Sequence, residues 1–302
     1  MELTLTLPAQ KHFNFWRTVF SHGWSALPPF RVDKDEQTFI RLLRLSSGDI
    51  VLVRLSEKPG NGIRVEITSS GPIRQAEKTE ILGLLRLCLR LGEDYEEFYQ
   101  EARRRKEFRW VGRVGAGRLL RAPTVFEDVV KMICTTNCSW ALTEVMVNNI
   151  CKYFGEPAGD AGYTFPAPEN LARTTEKYLR KNIKSGYRSP YLLELSRRVA
   201  GGSLDLESWR KSTLPTPELF EEVRSVKGVG PYAAGNILKL LGRYDYLGLD
   251  SWCRGRFFEI HKKGRKGTDR AIEKFYEPYG KWKGLFFWLD VTKEWYDHKF
   301  PF

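Results

Sequence analysis

The sequence predicts an α+β fold in which a small N-terminal antiparallel β-sheet domain precedes a mostly α-helical domain. Apolar and polar residues alternate in segments near the N-terminus, whereas from about Pro72 onward apolar residues recur at helical spacing. A chain of 302 residues with 42% hydrophobic and 28% charged residues has a globular composition and is long enough for two such units. We place the domains at 1–75 and 76–302.

The N-terminal domain is predicted from four strand-like segments, Glu2–Leu7, Phe39–Leu45, Ile50–Leu55 and Ile63–Ile67. The last two flank Pro59-Gly60-Asn61-Gly62, a composition typical of a hairpin turn. A short amphipathic helix is predicted over Phe13–Phe20, between the first two strands. These elements indicate a small antiparallel α+β unit.

Helix starts in the second domain are marked by caps and prolines. Leucines recur at helical spacing through Glu77–Leu91. Thr124 is predicted to cap a helix, with Glu127 closing a capping box. Thr216-Pro217 places proline at the first helical position, and Thr268 caps a last pair of helices.

The charge balance favours a polyanionic partner. Forty-nine Lys and Arg residues against 37 Asp and Glu residues give a net charge of +12 and a pI near 9.4. One basic block alone is typical of a solvated face, but three in one helical domain favour DNA. The blocks are Arg103, Arg104, Arg105, Lys106, Arg109 and Arg113; Lys177, Arg180, Lys181, Lys184 and Arg188; and Lys262, Lys263, Arg265 and Lys266. Nucleic acid is the first polyanion expected and an anionic membrane surface the second. A membrane-spanning segment is not expected, because the apolar run Ile81–Leu91 is short and contains Arg86 and Arg90. We therefore expect DNA and no membrane as partner.

The cysteines and the N-terminus predict an intracellular protein without metal. The five cysteines are odd in number and scattered, which favours a reducing compartment over a disulfide framework. Cys134 and Cys138 could share a helix face, but no metal-ligand spacing accompanies them, so we expect buried small hydrophobes. The N-terminus lacks a secretion signal, which predicts a cytoplasmic protein, associated with the nucleoid in a bacterium or archaeon, or a nuclear one in a eukaryote.

A glycine-rich hairpin is predicted at about 217–242, where two helical patterns flank Lys227-Gly228-Val229-Gly230-Pro231. Glycines two apart let the backbone turn with positive φ and approach a partner closely. The following helix N-terminus presents N–H groups suited to phosphate. The hairpin is therefore predicted to contact a DNA backbone through Lys227, Gly228, Val229 and Gly230. Its backbone could also bind a monovalent or divalent cation. An ordinary tight turn is the alternative.

Asp250 follows Gly230 by twenty residues and directly precedes the helix predicted over Trp252–Ile260. This spacing places a carboxylate at a helix N-terminus close to the hairpin. The position also suits a simple N-cap, so both a chemical and a structural role are open from spacing alone.

Taken together, these motifs resemble the helix-hairpin-helix DNA glycosylase superfamily, in particular its 8-oxoguanine and alkyladenine glycosylase branch without an iron–sulfur cluster. The resemblance covers most of the chain in the right order. It rests on the segments Gly117-Arg118-Leu119-Leu120-Arg121, Cys134-Thr135-Thr136-Asn137, Phe165-Pro166-Ala167-Pro168-Glu169-Asn170-Leu171-Ala172, Gly186-Tyr187-Arg188, and Val226-Lys227-Gly228-Val229-Gly230-Pro231-Tyr232-Ala233-Ala234 followed by Leu249-Asp250.

The resemblance implies a monomeric enzyme that flips a damaged base out of double-stranded DNA and hydrolyses its N-glycosidic bond without a cofactor. Asp250 would stabilise the cation that forms at C1′ and orient or deprotonate the attacking water. Tyr187 would fill the gap, Asn137 would contact the orphaned partner or the vacated space, and Arg188 the orphaned base or a phosphate. The alternatives are a core tyrosine and a surface asparagine.

Tyr232 stands where bifunctional members carry an imine-forming lysine, so the resemblance implies a monofunctional enzyme. A displaced lysine, Lys227, is the alternative nucleophile. The two other functions left open are a bifunctional 8-oxoguanine-type glycosylase and AP lyase, and a non-catalytic DNA-damage-binding protein.

The base pocket is expected to contain Tyr232, Trp252, Gly284 and Trp288, with Trp24 and Trp140 as further candidates. Gly284 aligns with a base-reading glutamine of the 8-oxoguanine branch, and Leu142 replaces its arginine. Aromatic faces attract electron-poor bases, which favours alkylated purines over deaminated or oxidised ones. The alternative is that most of these rings are core residues.

Overall fold

The computed structural model describes residues 1–60 and 62–297, so Asn61 of the predicted hairpin turn lies outside the described residues. The N-terminal part is a five-stranded antiparallel sheet in the order β1-β5-β4-β3-β2. Its strands are β1 (Glu2–Pro8), β2 (Phe30–Asp33), β3 (Thr38–Arg44), β4 (Ile50–Lys58) and β5 (Gly62–Ser69). The predicted α+β class is confirmed.

The alternation in the sequence corresponds to the two faces of this sheet. Val53 and Leu55 of β4 are buried and pair with Ile67 and Val65 of β5. The helix α1 (Phe15–Val19) packs its apolar residues into the same core. Strand β2 was not predicted, because it has four residues and only one fully buried position, Phe30.

Helices make up most of the chain after the sheet. They are α2 (Gln75–Cys88), α3 (Glu96–Arg104), α4 (Arg109–Val114), α5 (Val125–Thr135), α6 (Trp140–Phe154), α7 (Pro168–Ala172), α8 (Glu176–Tyr178), α9 (Ser189–Ala200), α10 (Thr216–Arg224), α11 (Pro231–Leu241), α12 (Ser251–Lys262), α13 (Asp269–Tyr276), α14 (Lys283–Val291) and α15 (Lys293–Asp297). Short 3₁₀ or π turns connect several of them, including Gly186–Arg188 before α9.

Two apolar cores support the helical part. One joins the sheet to α2 and to helices between α5 and α11, and the other joins residues 95–119, which include α3 and α4, to residues 244–296. The division at residue 75 stays a prediction, since the sheet shares its core with the helices that follow it. The seam between the two cores lies beside α11 and the segment that leads to α12.

The start of α5 corrects one predicted detail. Thr124 caps the helix by accepting a hydrogen bond from the Glu127 N–H, as predicted. The Glu127 carboxylate, however, does not close a capping box. It is buried between Arg41 of β3, 2.6 Å away, and Lys131, 2.7 Å away, and these cations lower its pKa. Long-range charge pairing thus overrides the local pattern.

Candidate active site

The hairpin between α10 and α11 uses its two glycines differently. Gly228 has φ of +89°, and a Cβ there would lie 2.7 Å from the Tyr191 ring. Gly230 has an ordinary φ of −82° and caps α11, with no atom within 4 Å of the Cβ position. The expectation that both glycines turn with positive φ is therefore wrong for Gly230, which instead leaves the hairpin surface open to close approach.

The other two hairpin residues predicted to meet DNA have internal partners. Lys227 is exposed and its ammonium lies 2.8 Å from the Glu194 carboxylate, a hydrogen bond that raises its pKa. Val229 is buried, and its N–H donates to the Val226 carbonyl. Of these two, only Lys227 offers a side chain at the surface.

The chain that leads to Asp250 lies directly against α11. Gly235 and Gly248 permit this approach, because a Cβ on Gly235 would lie 3.0 Å from the Gly248 backbone. The Asn236 amide donates to the Gly248 carbonyl, and the Lys239 ammonium donates to the Leu247 carbonyl. Two side chains of α11 therefore fix the backbone just before Asp250.

Asp250 serves as the N-cap of α12, since its Oδ1 accepts a hydrogen bond of 2.7 Å from the Cys253 N–H. The structural role that spacing left open is thus real. The same residue also lines the wall between two adjoining cavities. Capping fixes the carboxylate at the cavity wall, so the structural role and a chemical role are compatible.

The first of these cavities, called the base cavity here, has a volume of about 570 Å³, which lies in the usual range for small-molecule sites. Its wall is rich in aromatic rings. Those rings belong to Trp24, Trp140, Tyr232, Trp252, Trp288 and Trp295. Five of the six were named from the sequence. Trp295 was not; it lies in α15, after the break that ends α14 and its Trp288.

Several contacts hold the tryptophans in place. The Trp24 indole donates to the Asp128 carboxylate at 2.8 Å, and burial raises the pKa of Asp128 to about 6. The Trp288 indole donates to the Ser21 carbonyl at 2.9 Å. The Trp140 ring occupies the space that a side chain on Gly23 would fill. These contacts fix the positions of three of the six rings that line the cavity.

Two basic residues of the base cavity were not predicted from the sequence. Lys239 is buried, and burial lowers its pKa to about 8. His22 also lines the cavity, and burial lowers its pKa to about 4. Helical spacing carried the signal for Lys239, because Tyr232, Asn236 and Lys239 fall at positions i, i+4 and i+7 of α11.

Gly284 does not line the base cavity, contrary to prediction. Its N–H donates to the Tyr244 carbonyl at 2.7 Å, and a side chain there would overlap the carbonyl oxygen of Tyr246. The absence of a side chain at this position thus serves close packing of α14 against residues 244–246. It places no base-reading group in the cavity.

Tyr187 and Asn137 meet at the surface, as their predicted roles require. The Asn137 amide lies 3.4 Å from the Tyr187 hydroxyl, and Tyr187 is 45% exposed. Arg188 is only 3% exposed, and its guanidinium donates to the backbone and hydroxyl oxygens of Thr136. The prediction that Arg188 contacts DNA therefore needs correction: Arg188 holds the loop that carries Asn137.

Within residues 1–60 and 62–297, no cluster of His, Cys, Asp or Glu has the arrangement of a metal site. Over the same residues, no helix combines the length and apolar character needed to cross a bilayer.

The sequence profile of the HhH-GPD superfamily base excision DNA repair proteins matches residues 130–281, half of the chain. This match spans the Asn137 loop, the hairpin and Asp250. The chain belongs to this superfamily. The helix-hairpin-helix assignment made from the glycine-rich turn is thereby confirmed, and DNA repair is the process in which the family acts.

Relatives and solved structures agree with this membership. A putative DNA-3-methyladenine glycosylase of Bacillus subtilis is 25% identical over 177 residues, 56% of this chain and 59% of the relative. A probable N-glycosylase/DNA lyase of Methanothermobacter thermautotrophicus is 29% identical over 181 residues, 52% of this chain and 56% of the relative. The chain thus spans less than two thirds of each relative. The structure of a 3-methyladenine DNA glycosylase from Archaeoglobus fulgidus shares the fold, with a TM-score of 0.77 at 19% identity, covering 98% of this chain and 100% of that chain.

Proposed function

We propose that this protein is a DNA N-glycosylase that hydrolyses the glycosidic bond of a damaged purine flipped out of double-stranded DNA. The observation that carries the proposal is the position of Asp250. Its carboxylate caps α12 and lies in the wall of an aromatic cavity beside the helix-hairpin-helix. A protein that only bound DNA would gain nothing from a carboxylate facing a polyanion. Family membership and the relatives named as glycosylases support the same activity.

The reaction follows from the placement of charge. When the base leaves, positive charge develops at C1′ of the sugar, and a nearby carboxylate stabilises it. Asp250 lines both adjoining cavities, so a base in the base cavity would leave its sugar beside this carboxylate. The Cys253 N–H binds Oδ1, which leaves Oδ2 to orient or deprotonate a water molecule.

The enzyme is proposed to be monofunctional. Tyr232 is a neutral phenol whose pKa is raised further by burial, and a phenol cannot form an imine with the sugar. Lys227, the alternative nucleophile, is paired with Glu194. The product would be an intact abasic site.

Gly230 and the start of α11 would bind a phosphate of the DNA backbone. Tyr187 and Asn137 would fill the gap left by the flipped nucleotide. No cofactor is proposed. The protein would act as a monomer, in the cytoplasm of a bacterium or archaeon or in the nucleus of a eukaryote. Excision that continues at an unchanged rate in excess EDTA would support the metal-free part, and loss of activity in EDTA would overturn it.

Single-turnover excision tests the proposed activity. Duplexes carrying alkylated, deaminated or oxidised purines, or uracil, are incubated with the wild type and with Asp250→Asn, then read with and without alkali. We expect strand breaks only after alkali, and their loss in Asp250→Asn. Binding without excision of any base would instead indicate a damage-binding protein.

A second candidate is a bifunctional glycosylase and lyase, as named for the Methanothermobacter relative. It is favoured by Lys239, which, unlike Lys227, lines the same cavity as Asp250 and has a pKa of about 8. Borohydride trapping separates the two candidates. A trapped covalent complex and strand breaks without alkali would establish the lyase, whereas their absence supports the monofunctional enzyme.

A further inference from the structure

The base cavity contains a buried cation, Lys239, in addition to the Asp250 carboxylate, and the charge of Asp250 acts to raise the pKa of Lys239 against the larger effect of burial. Lys239 is 3% exposed and follows Tyr232 by seven residues, two helical turns or about 10 Å along α11. Tyr232 and Asp250 also line the second cavity, next to Asn137 and Pro231, whereas Lys239 lines only the base cavity. Lys239 therefore lies toward the floor, where the far edge of a bound base would lie.

The Lys239 ammonium keeps bonding capacity for a ligand. It donates to the Asn236 amide oxygen at 3.2 Å and to the Leu247 carbonyl. An ammonium has three N–H groups, so these two bonds leave one available in the described structure. The rings of Phe287 and Trp288 lie 5.8 and 5.9 Å from the nitrogen and provide no hydrogen-bond acceptor.

Among the described residues that line the base cavity, Lys239 carries the positive charge, because the other ionisable groups near it are neutral or negative. His22 donates its Nε2 proton to the Leu120 carbonyl at 2.6 Å, and its pKa of about 4 keeps the ring neutral near pH 7. Cys253 is buried, and its raised pKa keeps the thiol protonated. Asp250 supplies the negative charge, but at the side shared with the second cavity.

We propose that Lys239 selects the substrate by its charge: the cavity takes a neutral damaged purine whose carbonyl oxygen accepts a hydrogen bond from Lys239, and disfavours a base that carries positive charge. This inference rests on the proposed glycosylase function. It narrows the range of substrates predicted from the aromatic rings, because a cationic alkylated purine would lie next to the like charge of Lys239 in a site shielded from water. Among alkylated purines, only neutral ones then remain as substrates. Deaminated and oxidised purines are neutral and carry such a carbonyl.

Three bases separate charge from hydrogen bonding. Hypoxanthine is neutral with a carbonyl, 1,N6-ethenoadenine is neutral without one, and 7-methylguanine is cationic with one. For each base the single-turnover rate of Lys239→Met is divided by that of the wild type, which cancels intrinsic reactivity. We expect a roughly 10- to 100-fold loss on hypoxanthine, the worth of a hydrogen bond to a charged group, little change on ethenoadenine, and no loss or a gain on 7-methylguanine.

Two further variants sharpen this test. Lys239→Gln keeps N–H donors without the charge, so it should retain part of the hypoxanthine rate and gain on 7-methylguanine. Lys34→Met makes the same change of net charge at an exposed site on the sheet domain and should leave all three ratios near one. The wild-type rate on hypoxanthine should also fall as pH rises through about 8, and this fall should be absent in Lys239→Met.

The outcomes distinguish the inference from the function on which it rests. An equal loss on all three bases would show that Lys239 only positions the backbone before Asp250, and unchanged ratios would show no role; either overturns the inference. A borohydride-trapped complex that disappears in Lys239→Met would make Lys239 a nucleophile instead. If no base is excised in an Asp250-dependent way, the proposed function fails and the role of Lys239 falls with it.

Discussion

At the residue scale, Asp250 combines two roles that mutation can separate. Its carboxylate caps α12 through the Cys253 N–H and also faces the base cavity. Asparagine is as good an N-cap as aspartate but carries no charge, whereas alanine provides neither the cap nor the charge. The choice of substitution therefore decides which role is removed.

Asp250→Asn should lower the single-turnover excision rate by about 100- to 1000-fold, as when other preorganised electrostatic groups are removed. Its free energy of unfolding should stay close to that of the wild type. Asp250→Ala should lose a similar rate and also about 1 kcal/mol of stability. Denaturant unfolding beside the excision assay checks both. Equal destabilisation by the two variants would argue against the capping role of the side chain.

Lys239 offers a second test at this scale. Burial lowers its pKa from 10.5 to about 8, so the charged lysine destabilises the fold fully below pH 8, and the penalty fades as pH rises toward 10.5. Lys239→Met removes this penalty. Its stability relative to the wild type should therefore be highest near pH 7 and decline by about 2 kcal/mol by about pH 9.5. Unfolding at both pH values, with Lys34→Met as control, measures this; a constant difference would contradict the lowered pKa.

At the element scale, the two glycines of the hairpin have different structural roles. Gly228 makes the turn, with a positive φ and the Tyr191 ring against it, while Gly230 keeps the approach to α11 open. The same pattern recurs where Gly235 and Gly248 let the chain before Asp250 lie on α11. Glycines, which have no Cβ, thus allow the hairpin and the segment that carries the Asp250 carboxylate to lie close together.

Gly228→Ala should destabilise the protein by about 1–3 kcal/mol, because alanine must adopt the left-handed region and push against Tyr191. Gly230→Ala meets neither obstacle, so its stability should stay near that of the wild type. Its added methyl group faces the approach surface and should weaken binding to duplex DNA. Binding titrations and unfolding of both variants test this. Wild-type DNA affinity in Gly230→Ala would remove the hairpin surface from the proposed interface.

At the scale of the whole molecule, a buried ionic cluster joins the sheet to the helices. Arg41 of β3 and Lys131 both pair with Glu127 of α5, and all three side chains are almost fully buried. Two arginines of the first basic block behave differently, since Arg103 and Arg104 pair with exposed or half-buried glutamates nearby. Buried charge is paired at this cluster and also where Arg90 and Arg121 meet Glu93, whereas the other pairs lie nearer the surface.

Glu127→Gln should cost about 3–5 kcal/mol, because it leaves two buried cations without their partner. Glu96→Gln, which breaks the exposed pair with Arg103, should cost no more than about 1 kcal/mol. The pKa of Glu127 is lowered, so its contribution is present above its unfolded pKa and is lost as pH falls through the folded value. Denaturant unfolding of both variants at neutral and acidic pH measures these effects, and equal costs would contradict the cluster's role.

Local pattern was enough to determine the class of fold, the hairpin and the cap at Asp250, and the family resemblance indicated most rings of the base cavity. The features read from local pattern depend on spacing within one turn or one helix, as in Gly228 and Gly230. Only the tertiary structure decided that Glu127 pairs with Arg41, 86 residues away, that Arg188 is buried, and that Lys239 faces the base cavity. Burial and charge pairing join segments distant in sequence, so the partner that defines each of these residues is absent from its local pattern.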